Sequence, residues 1–185
     1  MELDRTDRAL VRALQEDARQ TVKELAAGVA LSPSATHARI QRLREEGVIT
    51  AFRAEVDPAA VGVGLQALIQ VHLRRHAREA LEAFRAHLIE LPEVVAVTHL
   101  TGSVDFLVHV AVRDVAHLRS LALGAFTTRE EVSRIETAIV YEHVTTSGWP
   151  VYDQPGCPAP GRADRPGAGR PGRIRARRGS ARPGS

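Results

Sequence analysis

Two helix-start signals, T-V-K-E at Thr21–Glu24 and S-P at Ser32-Pro33, stand so close together that only a tight turn can separate the helices they open. Thr21 is placed to accept from the Glu24 amide while Glu24 reaches back to Thr21, the reciprocal arrangement of a capping box. Ser32 is a good N-cap, and proline at the first helical position loses a hydrogen bond it would not have made. Gly47 can adopt the left-handed conformation that ends the second helix. A preceding helix is predicted over residues 3–16, with Leu3, Leu10, Val11 and Leu14 on one stripe. Leu25, Ala26 and Val29 face inward on the next, and a break follows at Gly28–Leu31. Two short helices joined by a tight turn make a helix-turn-helix.

The faces of the second helix of that pair, LSPSATHARIQRLREEGVI, carry the functional reading. Thr36, Ile40 and Leu43 share one side by their i, i+4, i+7 spacing. The other side holds Ser32, Ser34, Ala35, His37, Ala38, Gln41, Arg42 and Arg44, short near the start and arginine-bearing further on. An ordinary solvated helix face more often carries Glu and Lys. Small Ser34 and Ala35 let a helix N-terminus approach base edges or a thymine methyl. Gln41 can pair with adenine through two hydrogen bonds, and Arg42 can pair with guanine or clasp phosphate. Arg39 and Arg44 suit phosphate, which positions without specifying, with an internal ion pair as the alternative for Arg39.

After Gly47, Val48-Ile49 and Phe52–Val56 look like short strands of a wing or connector, and Asp57-Pro58 breaks the chain. The period then changes. Residues 65–73 alternate as a strand, 77–91 return to helical spacing, and 94–101 and 106–112 are strands about Gly102. A helix follows through Val115, Leu118, Ala122 and Phe126, and a last strand over 132–145. The order βαββαβ predicts a ferredoxin-like sandwich, two helices on one face of a four-stranded antiparallel sheet. The fold class is therefore α+β, with an N-terminal winged helix-turn-helix. The uncovered sheet face must meet solvent or another subunit, and its apolar content favours a subunit.

Charge has to be read by region. The net charge is +3, but residues 150–185 hold eight Arg and two Asp, a balance of +6, so the remainder sums to −3. That tail has one large aliphatic residue after Val151, Ile174, and cannot bury a core, so disorder is expected. Either it is an inert extension, or its arginines lend non-specific DNA affinity that falls with salt. Residues 1–60 hold nine Lys+Arg against ten Asp+Glu, which implies weak binding by one copy and a need for paired sites. Cys157 is the only cysteine, excluding an internal disulfide or a cysteine-rich zinc site. The charged N-terminal residues lack a signal-peptide run, and the longest uncharged stretch, Pro58–Leu73, contains Gly and Gln. A cytoplasmic, nucleoid-associated protein without a membrane partner is expected. No P-loop, G-x-S-x-G or Gly-rich dinucleotide motif occurs, so neither a cofactor nor catalytic or metal residues are expected.

In order and size the chain resembles the Lrp/AsnC (feast/famine) family of transcription regulators. The resemblance covers about residues 2–147 and rests on LDRTDRALVRALQEDAR, LSPSATHARIQRLREEGVI, FRAEVDPAAVG and TGSVDF. It implies residues 1–57 as the DNA-binding domain, 58–64 as linker, 65–147 for effector binding and oligomerisation, and 148–185 as a tail outside the family pattern. It also implies double-stranded DNA as partner, an amino-acid effector, and a homodimer that assembles further, up to an octamer. The effector residues carried over are Thr101, Gly102 and Asp105 of the turn, with apolar contact from Ile139 and Val140. A carboxylate suits an ammonium group, and turn amides suit a carboxylate. Gly102 and Asp105 also have a purely local use in shaping and capping that turn. Thr36 stands where the family usually has an apolar residue. Relatives of this architecture that act on haem precursors through histidines make an enzyme the alternative, with His72, His99 and His109 as candidates. A non-specific architectural DNA binder is a further one.

Overall fold

The computed structural model describes residues 2–74, 78–146 and 148–152, so the tail beyond 152, with Cys157 and Ile174, lies outside the described residues. The chain divides into two compact units, Met1–Thr50 with Gly148–Ser185, and Ala51–Ser147.

The first unit is three helices, α1 (Arg5–Glu16), α2 (Val22–Gly28) and α3 (Pro33–Glu45). Each begins on a side-chain cap: Asp4 accepts from the Asp7 amide, Thr21 from Glu24 and Ser32 from Ala35. Asp4–Asp7 and Thr21–Glu24 are both reciprocal capping boxes. The turn between α2 and α3 uses Ala30 rather than Gly28 as its left-handed residue, at φ 54°. Gly47, at φ 72°, closes α3, and the Val48 amide reaches back to the Leu43 carbonyl at 2.9 Å. Leu10, Leu14, Leu25, Ile40 and Leu43 form the core, with Val48 and Ile49 packed against it.

The second unit carries a 3-10 turn at Pro58–Val61, then β1 (Leu65–Leu73), α4 (Arg78–Glu90), β2 (Val94–His99), β3 (Phe106–Val112), α5 (Val115–Leu121) and β4 (Val132–Ile139). A π-turn, Ala122–Thr127, continues α5 and drives Phe126 fully into the core. The strands order β2-β3-β1-β4, every pairing antiparallel, which is the ferredoxin-like topology expected. Alternate residues of β1 and β3, Ala67 to Leu73 and Phe106 to Val112, are buried against Phe84, Leu88, Leu118 and Phe126. The intervening positions, Leu68, Leu107 and Ala111 among them, point to the face opposite α4 and α5, which no described helix of this unit covers.

Three expectations need correction. Val48-Ile49 and Phe52–Val56 form no strand, because among the described residues no neighbouring segment offers them a ladder. Strand β4 ends at Ile139 rather than 145: β1 begins at Leu65, and after the Val140 amide bonds the Gln66 carbonyl at 2.9 Å no partner backbone is left. The expected tail does not start free at residue 148. The Trp149 amide donates to Gln15 Oε1 at 2.5 Å, Gln15 Nε2 returns to the Trp149 carbonyl at 3.2 Å, and an Arg12 guanidinium nitrogen reaches the Val151 carbonyl at 2.9 Å. On the C-terminal side only backbone groups make this attachment, which is why the side-chain pattern there gave no sign of it.

Candidate nucleic-acid interface and effector turn

Helix α3 has an inner flank and an outer face with different commitments. Thr36, Ile40 and Leu43 are buried, and among the described residues the Thr36 hydroxyl has no hydrogen-bond partner. Beside them Arg39 Nη1 binds Asp4 Oδ2 at 2.5 Å and Asp7 Oδ1 at 2.9 Å, and Arg42 Nη2 binds Asp7 Oδ2 at 2.7 Å. Asp7 is only 1% exposed. A carboxylate so far from water requires this compensation, and charge-assisted hydrogen bonds from two arginines supply it. The Asp4 carboxyl is held below its usual range first by the Asp7 amide it caps and then by Arg39. Arg39 is raised by Asp4 and then Asp7. Arg42, read from sequence as a groove contact, and Arg39, read as phosphate-binding or internal, are thus ties between α3 and α1. Asp7 is the residue sequence reasoning missed: the arginines that meet it lie 32 and 35 positions away.

The outer face is unencumbered by α1. Ser34, Ala35, His37, Ala38 and Arg44 are exposed and Gln41 half-buried. Gln41 sits between neighbours one turn away, its amide nitrogen 3.4 Å from His37 Nε2 and its oxygen 3.4 Å from Arg44 Nη1. These are long, exposed contacts that a base edge can replace. Ser32 is spent on the cap, accepting from the Ala35 amide at 3.2 Å and lying 3.1 Å from the Ser34 hydroxyl. What remains is a small-sided helix start followed by His37, Gln41 and Arg44 in a row.

The expected effector residues are split. Thr101 and Gly102 are exposed in the β2–β3 turn, where Gly102 takes φ 115° and the Leu100 amide donates to the Asp105 carbonyl at 2.9 Å. Asp105 is buried, and its Oδ2 accepts from the Leu73 amide at 2.8 Å while its own amide donates to the Val71 carbonyl at 3.0 Å. Its carboxylate therefore holds the end of β1. Ile139 pairs with Ala67, near the opposite end of that strand. Six strand residues at roughly 3.3 Å each put about 20 Å between the two groups. One chain does not bring Ile139 and Val140 to the turn. Instead Val140 lines a cleft of about 250 Å³ with Asp57, Gly64, Gln66, Tyr141 and His143.

The strand histidines are dispersed. His72 lies 3.7 Å from Glu136, His99 stacks on Phe106 with ring centres 4.9 Å apart, and His109 Nε2 lies 2.8 Å from Gln66 Oε1. Burial, and then His143 with its ring centre 5.0 Å away, lower the His109 pKa. Among the described residues no group of three His, Cys, Asp or Glu could hold a metal ion. Nor is any described helix long and apolar enough to cross a membrane.

Residues 3–50 match the winged helix-turn-helix DNA-binding domain and residues 66–150 the Lrp/AsnC ligand binding domain. The HTH-type transcriptional regulator AldR of Mycolicibacterium smegmatis is 41% identical over 143 residues, covering 77% of this chain and 84% of that protein. Among solved structures, a transcriptional regulator of Neisseria meningitidis, crystallised as a complex with L-Met, superposes with a TM-score of 0.72 at 32% identity, over 79% of this chain and 94% of the other. AsnC of E. coli gives a TM-score of 0.71 at 26% identity, over 80% and 99%.

Proposed function

The chain belongs to the Lrp/AsnC family of helix-turn-helix transcription regulators, and from that premise we propose how its own residues divide the work. Residues 1–57 bind double-stranded DNA, 58–64 link, and 65–147 bind the effector and assemble the oligomer. Helix α3 enters the major groove with Ser34, Ala35, His37, Ala38 and Gln41 toward base edges and Arg44 toward phosphate. Arg39 and Arg42 fix the angle at which α3 leaves α1. The observation that carries this reading is the division of α3 itself: two arginines are drawn to Asp7, and the face left over is small, polar and open.

The effector is an amino acid. Support comes from the L-Met complex of the Neisseria relative, and from a turn that offers exposed backbone at Gly102 beside the Asp105 carboxylate. Because Ile139 and Val140 lie about 20 Å along the sheet from that turn, a site using both sets needs a second copy. The protein thus works as a homodimer that assembles further, with the uncovered sheet face as one contact, in the cytoplasm at the nucleoid. Coupling follows if the effector prefers one assembly arrangement, and the shift cannot exceed that preference in free energy.

Salt-controlled selection of bound duplexes, with and without a panel of amino acids, tests the reading. Enrichment of one sequence that an amino acid strengthens or weakens is expected. Equal retention of all sequences would point to an architectural binder.

A further inference from the structure

The row of side chains on the outer face of α3 has a direction. The Gln41 amide lies between His37, one turn before it, and Arg44, one turn after. An arginine side chain carries donors only. Arg44 Nη1 is 3.4 Å from Gln41 Oε1, so the oxygen end of the amide faces Arg44. The nitrogen end is thereby turned to His37, 3.4 Å from the ring Nε2. An amide nitrogen donates, so Nε2 has to accept, which requires a neutral imidazole with its hydrogen on Nδ1. An imidazolium carries a hydrogen on each ring nitrogen and would meet the amide N–H against N–H.

No other group competes for this ring. Among the described residues Gln41 is the one polar partner of His37, and no carboxylate of α1 or α2 forms an ion pair with it. On the α1 side Asp4 and Asp7 are taken by Arg39 and Arg42. On α2 the Glu24 carboxylate is turned to Thr21. The cation of the row, Arg44, is separated from the imidazole by Gln41.

Neither contact exhausts the amide, which keeps one lone pair and one N–H side by side. Adenine offers the matching pair, an N6 hydrogen to donate and N7 to accept. With the amide oxygen held toward Arg44, the match exists for one direction of the adenine edge, N6 toward Arg44 and N7 toward His37. A reversed amide would reverse that requirement.

We propose, resting on the DNA-binding reading above, that His37 is the positioning residue for base reading: as a neutral imidazole it holds the Gln41 amide in the direction that selects adenine, and on protonation it releases that hold. Discrimination at the base pair that Gln41 meets therefore fades in mild acid.

The test uses the full-length protein, His37→Gln, His37→Leu and Gln41→Ala. The duplexes are the preferred one and its variants at the base pair whose discrimination Gln41→Ala removes. Each affinity is measured at fixed salt between about pH 8 and about pH 5.5, across which histidines as a class change charge. The duplexes differ at one base pair, so a pH effect common to both cancels in their ratio. The wild type should favour adenine about 10-fold at the upper pH, as for one base contact through two hydrogen bonds, and about 3-fold or less at the lower. His37→Gln offers an amide oxygen in place of Nε2 and does not titrate, so its discrimination should persist across the range. His37→Leu should show the reduced ratio at every pH. His37 is exposed, so both variants should melt like the wild type. A wild-type ratio that stays flat with pH, or a His37→Leu ratio equal to wild type at the upper pH, overturns the role of His37. Preference for a base other than adenine there overturns the direction assigned to the amide. If Gln41→Ala removes discrimination at no base pair, Gln41 does not read DNA, and the base-reading assignment falls together with this proposal.

Discussion

The helix-turn-helix unit and the sheet unit differ in how far their sites are complete in one chain. In the first, every residue proposed to read base edges comes from one helix, and the helix period alone puts His37, Gln41 and Arg44 in a row. In the second, the expected effector residues come from a turn and from the far end of β4, separated along β1. A site on one helix survives as a local unit; a site spread over a sheet depends on assembly. A regulator gains from that contrast. Under the proposed division, the reading surface stays constant while the effector site forms with the oligomer.

Core substitutions break the comparison most severely. Phe84 packs edge-on to Phe106 at 5.5 Å and to Phe126 at 6.4 Å, fully buried. Phe84→Ala should remove about 3–5 kcal/mol from the sheet unit. Differential scanning calorimetry should show the transition of that unit falling sharply, with the helix unit unmoved. Next comes Asp7→Ala, which removes the acceptor shared by Arg39 and Arg42. Both arginines are part-exposed and can rehydrate, so roughly 2–3 kcal/mol is expected, from the helix unit only. A melt followed by helix ellipticity checks it; no change would mean the α1–α3 ties are surface pairs of little worth.

What the sequence made legible tracks the same divide. The three helices of the first unit were readable because Thr21, Ser32 and Gly47 act on backbone within a turn of themselves. The strands were readable from alternation, because one face of the sheet is buried. The pairing of Asp7 with Arg39 and Arg42 was hidden, since it follows from how two helices cross rather than from either one. The same holds for the distance between Asp105 and Ile139, which only strand register reveals. The wing strands failed for a related reason: Phe52 and Val56 have the residue types of a strand, but pairing needs a partner that the described residues do not place there.

Asp105→Asn sharpens the sheet side. The amide oxygen can still accept from the Leu73 amide, so the fold should stand while the negative charge goes. Isothermal calorimetry with a panel of amino acids should show effector binding weakened roughly 10-fold or more, as for loss of a charged hydrogen-bond partner. Equal binding would leave the carboxylate as a turn cap alone. A smaller effect of opposite sign is expected at Thr36→Val. The buried hydroxyl has no partner among the described residues, so replacing it should raise the stability of the helix unit by about 1 kcal/mol. A denaturation midpoint that moved down would mean the hydroxyl is satisfied in solution. Smallest is the pH effect of His109. Burial lowers its pKa below the ordinary imidazole value of 6.5, so the unfolded chain takes up a proton more readily than the folded one. The sheet unit should keep its full stability above about pH 6.5 and lose some as the pH falls through the lowered value. His109→Gln should flatten that slope in melts across the range.

The division of α3 is tested most directly by measuring Gln41→Ala and Arg42→Ala side by side, on the preferred and on a random duplex at one salt concentration. Gln41→Ala is expected to weaken the preferred duplex by about 1–3 kcal/mol and leave the random one nearly unchanged. Arg42→Ala should lower the melting temperature of the helix unit and keep the ratio between the two duplexes. If Gln41→Ala weakens both duplexes equally, or if Arg42→Ala abolishes the preference in a fully folded protein, the assignment of outer face to DNA and inner flank to Asp7 is wrong.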